Sequence, residues 1–290
     1  REYAEYELKR IGNRTIPGVD RYKNLGGLRN RVAAWSSVVT REDVKGLPPL
    51  VFSKEFFELS PKQEAAYRTV SKQLMMEHAV DGFKVGKAFE GSVKNLKLLQ
   101  ITNGFFIDQD GEEHWFEENP RIELLKQILE WYYEQGQKVI IWGRFVNDIM
   151  EIAKAVREMG QKYVLFYGAV NADKREANKQ AFMENPEVTT FIGNPKAGGR
   201  GLNLSAASAI IWYSRDYDLE FKRQADERAS VVGGHSVDVI DILARDTVGL
   251  SIAEALDKKL RISDMIDRQG LQSFIDGQIQ AFESSIEDKI

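Results

Sequence analysis

"GNPKAGGRGLNLSAASAIIWY", Gly193 to Tyr213, decides how the chain reads. It links two apolar runs, "VTTFIG" (Val188–Gly193) and "AIIWY" (Ala209–Tyr213), each short enough to be a buried strand. Between them Gly198, Gly199 and Gly201 let backbone N–H groups approach an oxyanion closely, and Lys196 adds a positive charge. The Lys-Ser/Thr pair of a phosphate-cradling P-loop is missing. The loop alone is equally compatible with a tight strand-to-helix turn.

Outward from this stretch the same rhythm repeats. Asn119-Pro120 opens a helix that Gly136 ends, and the strand "KVIIWG" follows. Phe145, Ile149, Ile152, Val156 and Met159 share one face of the next helix, which Gly160 ends. Then come strand "YVLFY", a charged helix over 173–184 and strand "VTTFIG". Beyond the loop lie strand "AIIWY", a helix around 219–229 and strand "VDVIDIL". Apolar strands alternating with amphipathic helices define an α/β fold with a parallel sheet. Trp212 and Tyr213, in a central strand, belong to the core.

The region before residue 119 reads differently. Asn24–Val44 mixes basic and apolar residues and reads as helical, and Val51 to Leu59 follows Pro48-Pro49 as an extended segment. Ser60-Pro61-Lys62-Gln63 is a helix start, with Ser60 as N-cap and Gln63 closing a capping box. Tyr67, Val70 and Leu74 keep one face apolar behind it, and a second helix spans about 93–101. At the far end Leu271, Ile275, Ile279, Phe282 and Ile286 mark a helix expected to pack on the body. The expected organisation is a mainly helical protrusion and linker over 1–118, a parallel α/β lobe over 119–250, and a helical tail over 251–290.

Composition narrows the function. The net charge of −4 over 290 residues gives no basic surplus, although a local basic cleft fits within it. Cysteine is absent, which excludes disulfides and thiolate chemistry, and the three histidines show no metal-ligand spacing, so no metal site is expected. No apolar run has the length of a membrane span, so no membrane partner is expected and cytoplasm is the expected compartment. The chain begins at Arg1 in mid-pattern, and a piece of a longer protein is the expectation.

Gln224 and Arg228 stand four apart in the helix after "AIIWY", a spacing that gives two polar groups one helical face. The combined string "KAGGRGLNLSAASAIIWYSRDYDLEFKRQADERA" (196–229) resembles motifs V and VI of SWI/SNF-type ATPases, within superfamily 2 of helicase-like DNA translocases. There the pattern is roughly S-T-K-A-G-G-x-G-L-N-L, a strand, then Q-A-x-x-R-x-x-R-x-G-Q. "KVIIWGRF" resembles motif IV, "LFYGAVNADKREANKQAF" the following segment, and "LPPLVFSKEFFELSPKQEAAY" the entry into the second half. The resemblance covers about residues 40–260.

It implies a second RecA-like lobe, which closes on ATP and Mg2+ bound to an N-terminal lobe and grips the backbone of double-stranded DNA. By that resemblance Gly199, Arg200 and Gly201 face nucleotide, Gln224 and Arg228 are catalytic, and Lys196, Arg144, Gly168 and Asn194 face DNA. The chain contains neither a P-loop nor an acidic box: "GFKVGKAF" (82–89) is one residue short and carries Ala88 where Ser/Thr binds magnesium, and Asp226-Glu227 falls inside a polar helix. Compact insertions point to a bacterial or phage-encoded protein, and a monomer is expected. Departures are the second motif VI arginine, which falls on Val231, Gly233-Gly234 for Gly-Gln, and Asn194-Pro195 for Ser-Thr. Arg223 stands near enough to substitute for the missing arginine. The rival reading is an inactive DNA- or partner-binding module on the same fold; a small-molecule enzyme has only the glycine loop behind it.

Overall fold

The computed structural model describes residues 4–11, 14–22, 31, 41–80, 87–108, 110–198, 202–215, 218–254 and 257. The helix expected within Asn24–Val44 falls almost wholly outside these residues, and the one expected over Leu271–Ile290 lies outside them. Contacts divide the chain into two compact units, residues 1–44, 82–88 and 257–290, and residues 45–81 and 89–256.

In the first unit, β1 (Ala4–Ile11) and β2 (Arg14–Tyr22) pair antiparallel, from Ala4 opposite Tyr22 to Ile11 opposite Arg14. Reading this region as mainly helical does not anticipate the hairpin.

The second unit is built on a six-stranded, all-parallel sheet. Its strands are β3 (Leu50–Phe57), β6 (Lys138–Trp142), β7 (Lys162–Phe166), β8 (Val188–Gly193), β9 (Ala207–Trp212) and β10 (Val237–Ala244), in the order β3-β10-β9-β6-β8-β7. The extended segment before Ser60 is therefore an edge strand, hydrogen-bonded along β10 from Val237–Leu50 to Ala244–Phe57. A short hairpin of β4 (Phe105–Ile107) and β5 (Glu113–Trp115) stands apart from the sheet.

Alternation along the strands feeds two cores. Val139, Ile141, Ala209, Ile211 and Tyr213 pack under α3 (Pro120–Glu134) and α4 (Val146–Glu158). Ile140, Trp142, Phe191, Ile210 and Trp212 pack on the opposite face with Phe182 of α5 (Ala172–Glu184) and Ala225 of α6 (Leu219–Asp226). Because both faces are covered, the central strands read as unbroken apolar runs. This three-layer arrangement is the RecA-like α/β sandwich expected from the resemblance. Gly136 and Gly160, at φ +65° and +72°, follow α3 and α4 where the sequence places their ends.

Ahead of these layers, α1 (Pro61–Val80) begins with the expected capping box, Ser60 N donating to Gln63 Oε1 at 3.0 Å and Gln63 N to Ser60 Oγ at 3.4 Å. Gln63 is buried because its Nε2 also donates to Ile101 O at 3.0 Å, tying this start to α2 (Lys87–Thr102). No helix among the described residues is long and apolar enough to cross a membrane.

Candidate functional site

A parallel sheet delivers all its carboxyl ends to one edge, where ligands bind in open α/β folds. Here β6, β8 and β9 are adjacent, and Trp142 is level with both Gly193 and Trp212. The links leaving them are stitched together: Gly143 N donates to Gly193 O at 2.9 Å, Tyr213 N to Trp142 O at 3.0 Å, and Asn194 N to Phe166 O at 3.0 Å. Gly193 is required at this crossing, since a Cβ there would sit 2.6 Å from Phe166 O.

Side chains complete the stitching. Asn194 Nδ2 donates to Arg144 O at 2.8 Å, and its Oδ1 accepts from Lys196 N at 2.9 Å. Ser214 Oγ accepts from Arg144 N at 2.8 Å and donates to Asp148 Oδ2. Asp148 also accepts from Phe145 N at 3.1 Å and from Asn103 Nδ2 at 3.0 and 3.1 Å. Burial pushes its carboxyl up to about 6, opposed by the hydrogen bonds from Ser214 and Phe145 and by the Arg121 charge. Asp148 thus anchors the ends of two strands and the start of α4 from beneath.

Above this brace lies a cavity of about 150 Å³, lined by Arg144, Asn194, Lys196, Trp212, Ser214 and Arg215, and walled by Asp218, Phe221 and Lys222 of the α6 segment. Arg215 is 7% exposed, with Nη1 3.2 Å from the buried Asp241 carboxylate. Lys222, also buried, is held at 2.7 Å by Asp226 Oδ2, while Asp226 Oδ1 accepts from Trp212 Nε1 at 2.8 Å. Asp218 caps α6, accepting from Phe221 N at 3.2 Å. Lys196 is exposed, its Nζ 5.4 Å from the centre of the Phe221 ring.

Of the residues expected to face DNA, the structure brings Arg144, Asn194 and Lys196 together around this cavity and leaves Gly168 in an exposed turn after β7. Both polar ends of the Asn194 side chain are spent on the protein itself. Gln224 is half-buried on α6 and donates to Glu220 Oε1 at 2.6 Å. The helix expected over 219–229 stops at Asp226, and Arg228 sits in a tighter 3-10 turn over Glu227–Ala229. The four-residue spacing therefore does not give Gln224 and Arg228 one regular α-helical face. Arg228 is buried, its guanidinium 5.8 Å from the Trp142 ring centre, and burial lowers its pKa. Gly199, Arg200 and Gly201 lie outside the described residues. Trp212 and Tyr213 are core residues as expected, although Trp212 also lines the cavity.

Sequence reasoning passes over Ser214, Arg215 and Lys222, although Ser214-Arg215 directly follows a strand at the binding edge, which is a usable signal. Asp148 gives no such signal, because in sequence it is one more polar residue near a helix start. Asp108, Glu112 and His114 gather at the β4–β5 link. Asp108 already accepts from His114 Nε2 at 2.7 Å and from the Asp110 and Glu112 backbone N at 2.9 Å, so the trio closes a turn.

The fold and this edge define a RecA-type lobe, and comparison with known proteins places it. Residues 120–232 match the helicase conserved C-terminal domain. The chain is 29% identical over 243 residues to chromodomain-helicase-DNA-binding protein 1-like of Danio rerio, covering 80% of this chain and 23% of that protein. It is 26% identical over 225 residues to an uncharacterized ATP-dependent helicase of Mycoplasma genitalium, covering 74% and 21%. Among solved structures, the SWI2/SNF2 ATPase core of Sulfolobus solfataricus in complex with dsDNA aligns with TM-score 0.62 at 21% identity, covering 84% of this chain and 52% of that one. The C-terminal part of the Fun30 ATPase domain aligns at 0.59 and 17%, covering 79% and 99%. Over residues 120–232 the chain is thus similar to helicase C-terminal domains, and its fold is the RecA-like one that the SWI2/SNF2 ATPase structures share. It spans less than a quarter of the length of these curated relatives. Most relatives found are eukaryotic, so they lend no support to the expected bacterial or phage origin.

Proposed function

We propose that this chain is the C-terminal motor lobe of an ATP-dependent, SWI/SNF-like translocase of double-stranded DNA. The observation that carries the reading is the cavity at the carboxyl ends of β6, β8 and β9, where Arg144, Lys196 and Arg215 converge within a helicase C-terminal domain. Lys196 and Arg144 hold backbone phosphates, Asn194 shapes the loop that presents them, and Gly168 leaves the neighbouring turn open to the duplex. Contacts of this kind position a backbone without reading bases, so binding is salt-dependent and only weakly sequence-dependent.

ATP and Mg2+ belong to the interface with an N-terminal RecA-like lobe. This chain contributes Gln224, Arg228 and the Gly199–Gly201 backbone. An amide and a guanidinium are hydrogen-bond donors suited to phosphate oxygens, and guanidinium stabilises charge on a transferring phosphoryl group. The chain by itself is inactive as an ATPase, since the P-loop and acidic box are absent from it. The relatives called ATP-dependent helicases are far longer proteins, of which this chain covers 12% and 21%.

The test is ATPase activity of the longer protein containing this lobe, with and without duplex DNA, beside Arg228→Ala. Stimulation by duplex that disappears in the variant supports the motor. Val231, in place of the second motif VI arginine, favours a second reading as an inactive DNA- or partner-binding module. Absence of turnover with salt-sensitive DNA binding retained selects that reading.

A further inference from the structure

Buried guanidinium groups normally spend their five N–H donors, because an unsatisfied buried donor is costly. Arg215 does not. Its Nε, Nη1 and Nη2 are all buried and make no hydrogen bond among the described residues; the contact with Asp241 is an ion pair without hydrogen-bond geometry. Arg144 Nη1 is in the same condition. Both arginines line the 150 Å³ cavity, whose volume is about five times the share of one liquid water. Four cationic side chains and one carboxylate, Asp218, stand among its described lining residues.

We infer that this cavity is a phosphate socket: Arg215 and Arg144 together take one phosphate group of a nucleic-acid backbone. The inference rests on the proposed DNA-gripping function and adds a residue to it, since Arg215 is not among the groups the sequence assigns to DNA. The chemistry is that of a fork-shaped donor set meeting tetrahedral oxygens, with two N–H groups able to engage two oxygens at once. Asp241 behind Arg215 fixes the guanidinium without consuming its donors, so little side-chain entropy remains to be lost on binding. The Asp148–Ser214–Arg144 chain fixes the facing wall in the same way. A phosphate on a free small molecule presents the same oxygens, so the experiment separates the two sources.

Binding of a labelled 30-base-pair duplex by this chain is measured by anisotropy across a salt series, for the wild type, Arg215→Met and Arg215→Met/Asp241→Asn. The double variant also removes the charge of the buried Asp241 carboxylate that faces Arg215. In parallel, inorganic phosphate is titrated into the wild type while the fluorescence of the tryptophans, Trp212 at the cavity wall among them, is followed. Expected are a tenfold to hundredfold loss of duplex affinity in a folded variant and a salt slope shallower by about 0.9, the value of one lost phosphate contact. Wild-type binding that is unchanged in a folded variant overturns the socket and leaves the motor reading standing. Wild-type chain that ignores duplex yet responds saturably to inorganic phosphate keeps the socket but overturns its nucleic-acid source, and with it the DNA grip. No response to either ligand overturns both. Should neither variant fold, a wild-type salt slope unchanged by saturating inorganic phosphate overturns the socket, and a slope reduced by about one contact supports it.

Discussion

Asp148 is the residue whose replacement says most about how this edge is held. Asp148→Ala leaves the Phe145 N–H, the Ser214 hydroxyl and the Asn103 amide without their acceptor, in a place where Asp148 itself is 1% exposed. Each stranded donor costs about 1–3 kcal/mol. Against this stands relief from holding a carboxylate whose pKa rises from 3.8 to about 6, which is about 3 kcal/mol at neutral pH. Three such donors at about 2 kcal/mol each come to about 6, so the expected net loss is about 3 kcal/mol of folding stability. Asp148→Asn should lose less, because it keeps one acceptor and carries no charge.

The pH dependence isolates the charge. Burial raises the folded-state pKa above the unfolded one, so the folded chain binds the proton more tightly. The stabilising contribution is fully present below about pH 4 and is lost as the pH rises through 6. Urea unfolding followed by tryptophan fluorescence, with Trp142 and Trp212 buried in the core of the lobe, reads both effects. Relative to Asp148→Asn, the wild type should gain up to about 3 kcal/mol between pH 7 and pH 4. An alanine variant within about 1 kcal/mol of wild type, or a wild-type-minus-asparagine difference that is flat or grows with pH, would refute the reasoning.

Two further substitutions test the architecture. Gly193→Ala puts a methyl group 2.6 Å from Phe166 O between strands that cannot part, so a loss of about 1–3 kcal/mol and weakened DNA binding are expected from chemical denaturation and anisotropy. Gln63→Ala removes the bonds to Ser60 N and Ile101 O from a fully buried position, and should cost about 2 kcal/mol, while Lys62→Ala, whose ion pair with Glu117 is exposed, should leave the unfolding midpoint unchanged.

What could be read from residues alone follows one rule: the interaction had to be local. The capping box at Ser60 closes over three residues, and the helix-ending glycines act on the turn they follow. Strand identity for β6, β8 and β9 was visible because burial on both faces makes each a largely apolar run. The order of motifs then supplied the resemblance and the edge at which the site would lie.

What crosses the chain had to wait for the tertiary structure. No local pattern makes Leu50–Phe57, exposed along most of its length, an edge strand of the sheet; pairing with β10, nearly two hundred residues later, does so. Nor does any spacing reveal that Asp148, Ser214 and Asn103 share protons across separations of 66 and 45 residues, or that Arg215 lies buried against Asp241. Periodicity reports which face of an element avoids water, and that much the sequence determined by itself. Which buried donor meets which acceptor is settled only when distant strands are brought level, and in this lobe that alignment makes the cavity.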